Sequence, residues 1–511
     1  MKGIDYIMRK RLTSIIMAVF ITAATIAVST LPVYATPSGL PYDTYNYDLW
    51  EQIKLSPAAY IPDKIVRAEN FTYNGESIGR FASPQDISRS PYGDLYVADT
   101  GNNRIVVIDS TMSNCIKIIS SFDNNGVTDT FNQPTGVCVS GKNQIYVADS
   151  QNRRIVVLEQ DGTLVKIVAN PRSESLDENF IFTPLKVAVD YADRIYCTAQ
   201  FMFEGIMVFE ANGDFSSFFG TISVIITPWE QIWKRLATRE QRANQQLFIP
   251  TEFTGIDIDQ GGFVYASSID NEGVQGVRRL NPKGEDVIKK GGNENIGGDL
   301  MIFGPTDFAG PSQFIDVVYR GNGLYSALDR RRGRIFTYDH EGNLLYIFGA
   351  LGTQEGTFNL PVSIEDMNDR LLVLDAGRSE IVTFRATEYG RLINEAVSLR
   401  FDGDEALAVD LWKRVLEINE NNELANTGLG KAYLTAGDNA LAMRYLRLGM
   451  NREYYSIAFR RYRNSILIEH ANAGLTAMAV LVAGSMIFKR IRKTRKKKGD
   501  TDDTGAGFTY E

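Results

Sequence analysis

The feature that most constrains this chain is a phrase it writes twice. "LYVADTGNNRIVVID" runs from Leu95 to Asp109, and "IYVADSQNRRIVVLE" runs from Ile145 to Glu159. Nine of the fifteen positions are identical, at a separation of fifty residues. Weaker copies follow. Aligning on Tyr96, Tyr146, Tyr196, Tyr265, Tyr325 and Leu372 gives steps of 50, 50, 69, 60 and 47. A period near 45–50 with several strands per unit is the pattern of propeller blades. Each unit opens on a Pro or Gly, as in "PQDIS" at Pro84, "PTGVCV" at Pro134 and "PLKVAV" at Pro184. Runs such as Ile105–Ile108 are apolar without alternation, so both faces must be covered, and stacked blades do that.

Six inner strand pairs predict a mainly β fold, a six-bladed β-propeller over residues 69–388; a seventh blade is the alternative. The segment "FTYNGESIGRF", Phe71–Phe81, is expected to lend an outer strand to the last blade and so close the ring. Residues 36–68 read as a tyrosine-rich strap, either packed along the propeller or offering aromatic faces to a partner. The long fourth step holds an insertion, 227–246. There Thr227 and Glu230 form a capping box and Pro228 takes the first helical position. Trp229, Ile232, Trp233 and Leu236 share one face of this helix, which suits a docked helix or a partner-binding lid.

Beyond residue 389 the period turns helical. Leu429, Gly430, Tyr433, Ala442, Leu446 and Gly449 match the small and large positions of a tetratricopeptide-like pair, and Ala408, Trp412 and Val415 repeat the second-helix pattern. The expectation is a small α-helical segment over 389–465, completed by packing on the propeller or on the next helix.

Residues 471–488 carry no charge, and eight of the next ten residues are basic. That pattern reads as one transmembrane helix with a basic cytoplasmic tail, 489–511. Residues 1–35 read as a signal peptide ending at "VYA", with an uncut anchor as the alternative. Either way the bulk of the chain is expected outside the cell, on a single-pass membrane protein. Of the total charge of −8, residues 1–35 contribute +3 and residues 489–511 contribute +4, which leaves −15 for 36–488. So acidic a body argues against a nucleic-acid partner.

Catalytic signals are sparse. There are two histidines, His340 and His470, both read as solvated, and three cysteines without a CxxC pair, read as buried free thiols. "DIDQGG" at 257–262 and "DNNG" at 123–126 are partial calcium loops without a distal bidentate acid. No catalytic residue, metal site or cofactor is predicted. What recurs is a polar set at one turn: Asp99, Asn102 and Arg104; Asp149, Asn152 and Arg154; Asp329 and Arg334; Asp375 and Arg378. An Asp at a strand end accepts hydrogen bonds from the following turn, and an Arg can pair with it. Recurrence in every well-preserved unit favours a structural clasp. The same residues, with Trp229 and Trp233, are the candidate binding positions.

"YVADTGNNRIVVID" resembles the NHL repeat, over about residues 70–385, with blades 3 and 4 departing at the Asp: Ala199, and Ser267 or Ser268, stand there. The order of signal, six blades, tetratricopeptide-like helices and membrane helix is similar to extracytoplasmic NHL proteins of Gram-positive bacteria. That resemblance implies a membrane-anchored binding or scaffold protein holding a protein or glycan partner, in a setting such as a sugar-uptake system. The alternative is a calcium-dependent propeller hydrolase or lyase of the lactonase kind, which requires acids converging on the central channel. Fold alone does not choose between them.

Overall fold

The computed structural model describes residues 39–174, 176, 180–220, 252–270, 276–288, 298–299, 309–367 and 369–499. The signal segment 1–35 and the insertion 227–246, with Trp229 and Trp233, lie outside them, as does the tail from residue 500.

Six antiparallel sheets surround a central axis. Their innermost strands are Asp86–Arg89, Pro134–Val139, Pro184–Val189, Phe253–Ile258, Phe314–Tyr319 and Pro361–Met367, and each contacts the next around the ring. Blades 1, 2, 3 and 6 have four strands, blade 4 has three among the described residues, and blade 5 has six. The second strands are buried along their length, as Leu95–Asp99 and Ile145–Asp149 show, and third strands such as Arg104–Ile108 are buried beyond their first residue. Apolar side chains from facing blades interleave: Ile105 and Val107 of blade 1, with Phe122 of the hairpin that follows it, meet Val137, Val147 and Leu158 of blade 2. Such dry stacking supplies most of the stabilisation, at about 25 cal/mol per Å² of apolar surface removed from water.

Closure differs from the expectation. The outer strand of blade 6 is Tyr60–Arg67, antiparallel to Glu380–Ala386. The segment Phe71–Phe81 instead folds on itself as Thr72–Tyr73 against Glu76–Ser77. Its Asn74–Gly75 turn, with φ of 53° and 85°, comes too soon to leave a strand of blade length. Phe71, Ile78 and Phe81 are buried against blades 1 and 6. The closing strand therefore lies at the end of what the sequence marks as strap.

The strap's earlier part widens blade 5. Tyr45–Tyr47 pairs with Leu344–Phe348, and Ile53–Leu55 pairs with Tyr45–Tyr47. Register also corrects one alignment. Phe314 pairs with Asp329 and Val318 with Ser326, so Ser326 and not Tyr325 is the counterpart of Tyr146. In blade 4 Phe253 pairs with Ser268, which places Ser268 where blades 1, 2, 5 and 6 have Asp and blade 3 has Ala199.

Five helices follow: α1 Glu388–Phe401, α2 Glu405–Ile418, α3 Glu423–Thr435, α4 Asn439–Leu448 and α5 Arg452–Gly499. Consecutive helices pack pairwise. Small residues set their spacing: a Cβ on Gly428 would lie 2.5 Å from Trp412 Nε1, and one on Gly430 would lie 2.4 Å from Leu446 Cγ. Thr387 caps α1, accepting from Gly390 N–H at 3.2 Å while its hydroxyl donates to Ala58 O at 2.7 Å. This one residue ties the helix start to the closing strand.

The helices do not stand apart from the propeller. Tyr60, Phe348 and Phe384 share one core with Tyr389, Trp412 and Leu429. Glu341, in the outer turn of blade 5, pairs with Arg400 of α1 and accepts from Lys431 Nζ of α3 at 3.0 Å. Burial opposes its charge, but these two cations win and hold its pKa at about 2. Beside it His340 packs edge-on against Phe401, with ring centroids 5.1 Å apart. It is half-buried, not solvated as expected, and burial lowers its pKa.

The uncharged stretch 471–488 is the middle of α5, a single helix of 48 residues. It is the one described helix long and apolar enough to cross a membrane, and none of its apolar stretch is buried. Eighteen residues rise about 27 Å, close to a bilayer's hydrocarbon thickness.

Candidate functional site: a channel and a groove

Two places gather polar side chains. The first is the central channel. Along each innermost strand alternate residues face the axis. Counting from the opening Pro or Phe, the second position onward is Asp86, Gly136, Lys186, Gly255, Asp316 and Ser363, blade by blade. The fourth is Ser88, Cys138, Ala188, Asp257, Val318 and Glu365. The glycines are needed at the first level. A Cβ on Gly136 would sit 2.4 Å from Leu185 O, and one on Gly255 would sit 2.5 Å from Asp316 Oδ1.

At that level Lys186 Nζ pairs with Asp86 and lies 3.1 Å from Asp316 Oδ2. Ser363 Oγ lies 2.9 Å from Asp86 Oδ1 and 2.6 Å from Asp316 Oδ2. Backbone N–H groups of Val137 and Ile364 donate to the same two carboxylates at 2.9 Å each. Burial works against the Lys186 ammonium, but Asp316 and Asp86 outweigh it and raise its pKa. A fixed ammonium thus stands where two facing acids would otherwise receive a cation.

One level on, Asp257 and Glu365 have no cation in bonding range among the described residues. Asp257 accepts from Tyr319 N–H at 2.7 Å and Ile258 N–H at 2.8 Å. Glu365 accepts from Arg89 N–H and Asp366 N–H, both at 2.9 Å. Burial pushes their pKa values up to about 7 and about 8; the charge of Asp316 raises Asp257 further, and that of Asp257 raises Glu365 further. The free space here is only about 50 Å³. Among the described residues no group of three or more His, Cys, Asp or Glu is placed to hold a metal ion.

Of these channel residues only Asp257 belongs to a stretch singled out in the sequence, as the first residue of the partial calcium loop "DIDQGG"; the others lie in strands such as "PQDIS" and "PLKVAV". The signal was positional: a charged residue at the same offset in an otherwise apolar first strand.

The second place is a groove of about 560 Å³ between the strap, the outer turn of blade 5, helices α1 and α3 and the turns that follow α2 and α4. Its walls carry six asparagines, at 46, 343, 419, 421, 422 and 451, with Tyr47, Tyr389 and the apolar Ile53, Leu55 and Leu424. An amide both donates and accepts, which suits polypeptide backbone and sugar hydroxyls alike. The walls are braced. Asn419 and Asn422 donate to Tyr389 Oη at 3.2 and 2.7 Å, and Tyr45 Oη donates to Asp299 at 2.6 Å.

The recurring turn residues lie elsewhere, as separate clasps. Asp99 is fully buried and accepts from Ala82 N–H at 2.7 Å, Asn102 Nδ2 at 2.8 Å and Arg104 Nε at 2.8 Å. Asp149 repeats this with Asn132 N–H, Asn152 and Arg154. Blades 5 and 6 depart from the expected pairing. Arg334 stacks over the Tyr45 ring at 4.7 Å and donates to Asp43 O, while Asp329 accepts from Ser312, Gln313 N–H and Arg331 N–H. The strap strand lying beside blade 5 draws Arg334 outward. In blade 6 the position five beyond Asp375 is Glu380, which meets Arg67 of the closing strand at 2.8 Å. Arg378 reaches the carbonyls of Gly352 and Thr357, and only its backbone N–H faces Asp375, at 3.3 Å. Asp123 and Asp259, in the two partial calcium loops, accept from backbone N–H groups of their own turns.

Comparisons with known proteins agree with the repeat. A family model described as NHL repeat matches residues 81–108 and 131–158. No curated protein matches. Solved structures that the chain is similar to include virginiamycin B lyase from Staphylococcus aureus, with 11% identity over 64% of this chain and all of that one, TM-score 0.39. A protein of unknown function from Bacteroides thetaiotaomicron has 13% identity over 66% of this chain and 80% of that one, TM-score 0.41. At that distance they carry no argument about activity. Blades 1 and 2 are NHL repeats, set in a propeller of six blades.

Proposed function

We propose that this is a membrane-anchored binding or scaffold protein, with the strap groove as its working surface and a protein or glycan as its partner. The observation that carries this reading is the groove itself: three stretches far apart in sequence meet there around about 560 Å³ of mixed polar and apolar surface. The helices are read as tetratricopeptide-like, which suits them to present a concave wall. Helix α5 is read as the anchor, with the propeller outside the cell and the basic tail inside.

The test is co-purification in mild detergent. Asn421 is exposed on the groove wall, so Asn421→Trp obstructs the groove without touching the core. The native chain should retain a stoichiometric partner that Asn421→Trp loses. Equal retention by both, or no partner with either, contradicts the reading.

A hydrolase or lyase reading keeps one observation in its favour, the proton-holding Asp257 and Glu365 in the channel. Calcium that raised the melting temperature of the native chain, and not of Asp257→Asn, would support it.

A further inference from the structure

The strap strand Ile53–Leu55 is the last strand of the blade 5 sheet, paired on one side only among the described strands. Antiparallel pairs alternate between positions that exchange backbone hydrogen bonds and positions that do not. Ser56 N–H donates to Thr44 O, and Asp48 N–H donates to Gln52 O, both at 3.0 Å. Alternation makes Asn46–Lys54 the bonded pair between them. Ile53 and Leu55 then sit at non-bonded positions, with their N–H and C=O groups directed to the open side. Their side chains are 51% and 69% exposed.

Short edges are often protected by a lysine. Here Lys54 is engaged, 3.1 Å from Glu423 Oε1 of α3 and 3.5 Å from Asp48 Oδ2. The edge is thus held against the helices along the groove and not shielded by a free charge. Asp48, Glu51 and Glu423 line the groove against Lys54 and Lys431, an excess of one negative charge, and Lys431 is itself held by Glu341 at 3.0 Å.

We infer that the groove's occupant is an extended segment of a partner polypeptide that adds a strand to Ile53–Leu55 and carries basic residues. This rests on the binding reading above and names its partner class. The two outward-facing residues are about 6.8 Å apart, the repeat of alternate residues in a partner strand. Backbone pairing supplies affinity, and the surplus carboxylate selects lysine or arginine over acidic sequences.

The probe is a blocked hexapeptide of alternating valine and lysine, titrated into the full chain in detergent. Saturable binding is expected, with slowed hydrogen exchange at the Ile53 and Leu55 amides. Leu55→Pro deletes an outward N–H that the strap does not use, so the fold should survive while binding weakens at least tenfold. Methylating the valine amides or, separately, the lysine amides of the probe should cost at least tenfold in one of the two versions. A valine–glutamate probe, and Glu51→Lys, should each weaken binding several-fold. No saturable binding overturns the inference, as does binding unaffected by both methylated probes. If Leu55→Pro retains a native partner that Asn421→Trp loses, the groove binds in another way: strand addition fails and the binding reading stands.

Discussion

A single aspartate shows how this chain converts a repeated phrase into stability. Asp149 is fully buried and answers one backbone N–H, one amide and one guanidinium. Asp149→Ala leaves those donors unpaired and should cost about 3–5 kcal/mol in chemical denaturation. Arg334 looks equivalent in sequence yet packs on Tyr45 of the strap. Arg334→Ala should therefore cost only about 1 kcal/mol, and hydrogen exchange should locate the loosening at residues 43–47 and not at the blade turn. The Asp at the strand end was legible because it recurs. The fate of each Arg was not, because it depends on which outside strand lies beside the blade. Trp229 and Trp233 lie outside the described residues and are not placed.

Elements teach a similar lesson. Six inner strand pairs were readable from uninterrupted apolar runs and turn residues. The closing strand Tyr60–Arg67 was not, since it shares no phrase with the blades and is recognised only by its partner, Glu380–Ala386. The docking of the helices was half legible. Small residues announced helix–helix contact, but Glu341, in an ordinary-looking turn, is the residue that α1 and α3 both grip. Glu341→Ala should leave Lys431 without its carboxylate and Arg400 with Asp339 alone, at 3.8 Å, at a cost of about 3 kcal/mol. Limited proteolysis should then cut near residues 402–404 and 419–421 before it cuts the propeller. Equal resistance of native and variant chains would rule out this role.

The whole molecule joins a charged channel, a groove and a long apolar helix. Channel chemistry gives a pH signature. A carboxyl whose pKa rises on folding keeps a proton that the unfolded chain has already lost. Asp257 and Glu365 thus support the fold fully at low pH, and that support fades as pH rises from about 4 through about 7 and about 8. The melting temperature should decline across that window, and the decline should flatten in the Asp257→Asn, Glu365→Gln double variant. Discounted for screening through the cavity, each group contributes on the order of 1–2 kcal/mol. A full chain should also resist alkaline extraction from membranes, whereas a chain ending at residue 464 should be released.

The central claim is that the groove, and not the open propeller surface, meets the partner. Photo-crosslinking in the native membrane tests it most directly, with the reactive residue placed at Leu55 in the groove or at Tyr191, which is 78% exposed and lies outside the groove lining. One discrete adduct from Leu55 and none from Tyr191 is the predicted result. An adduct from Tyr191 with none from Leu55 would contradict the account.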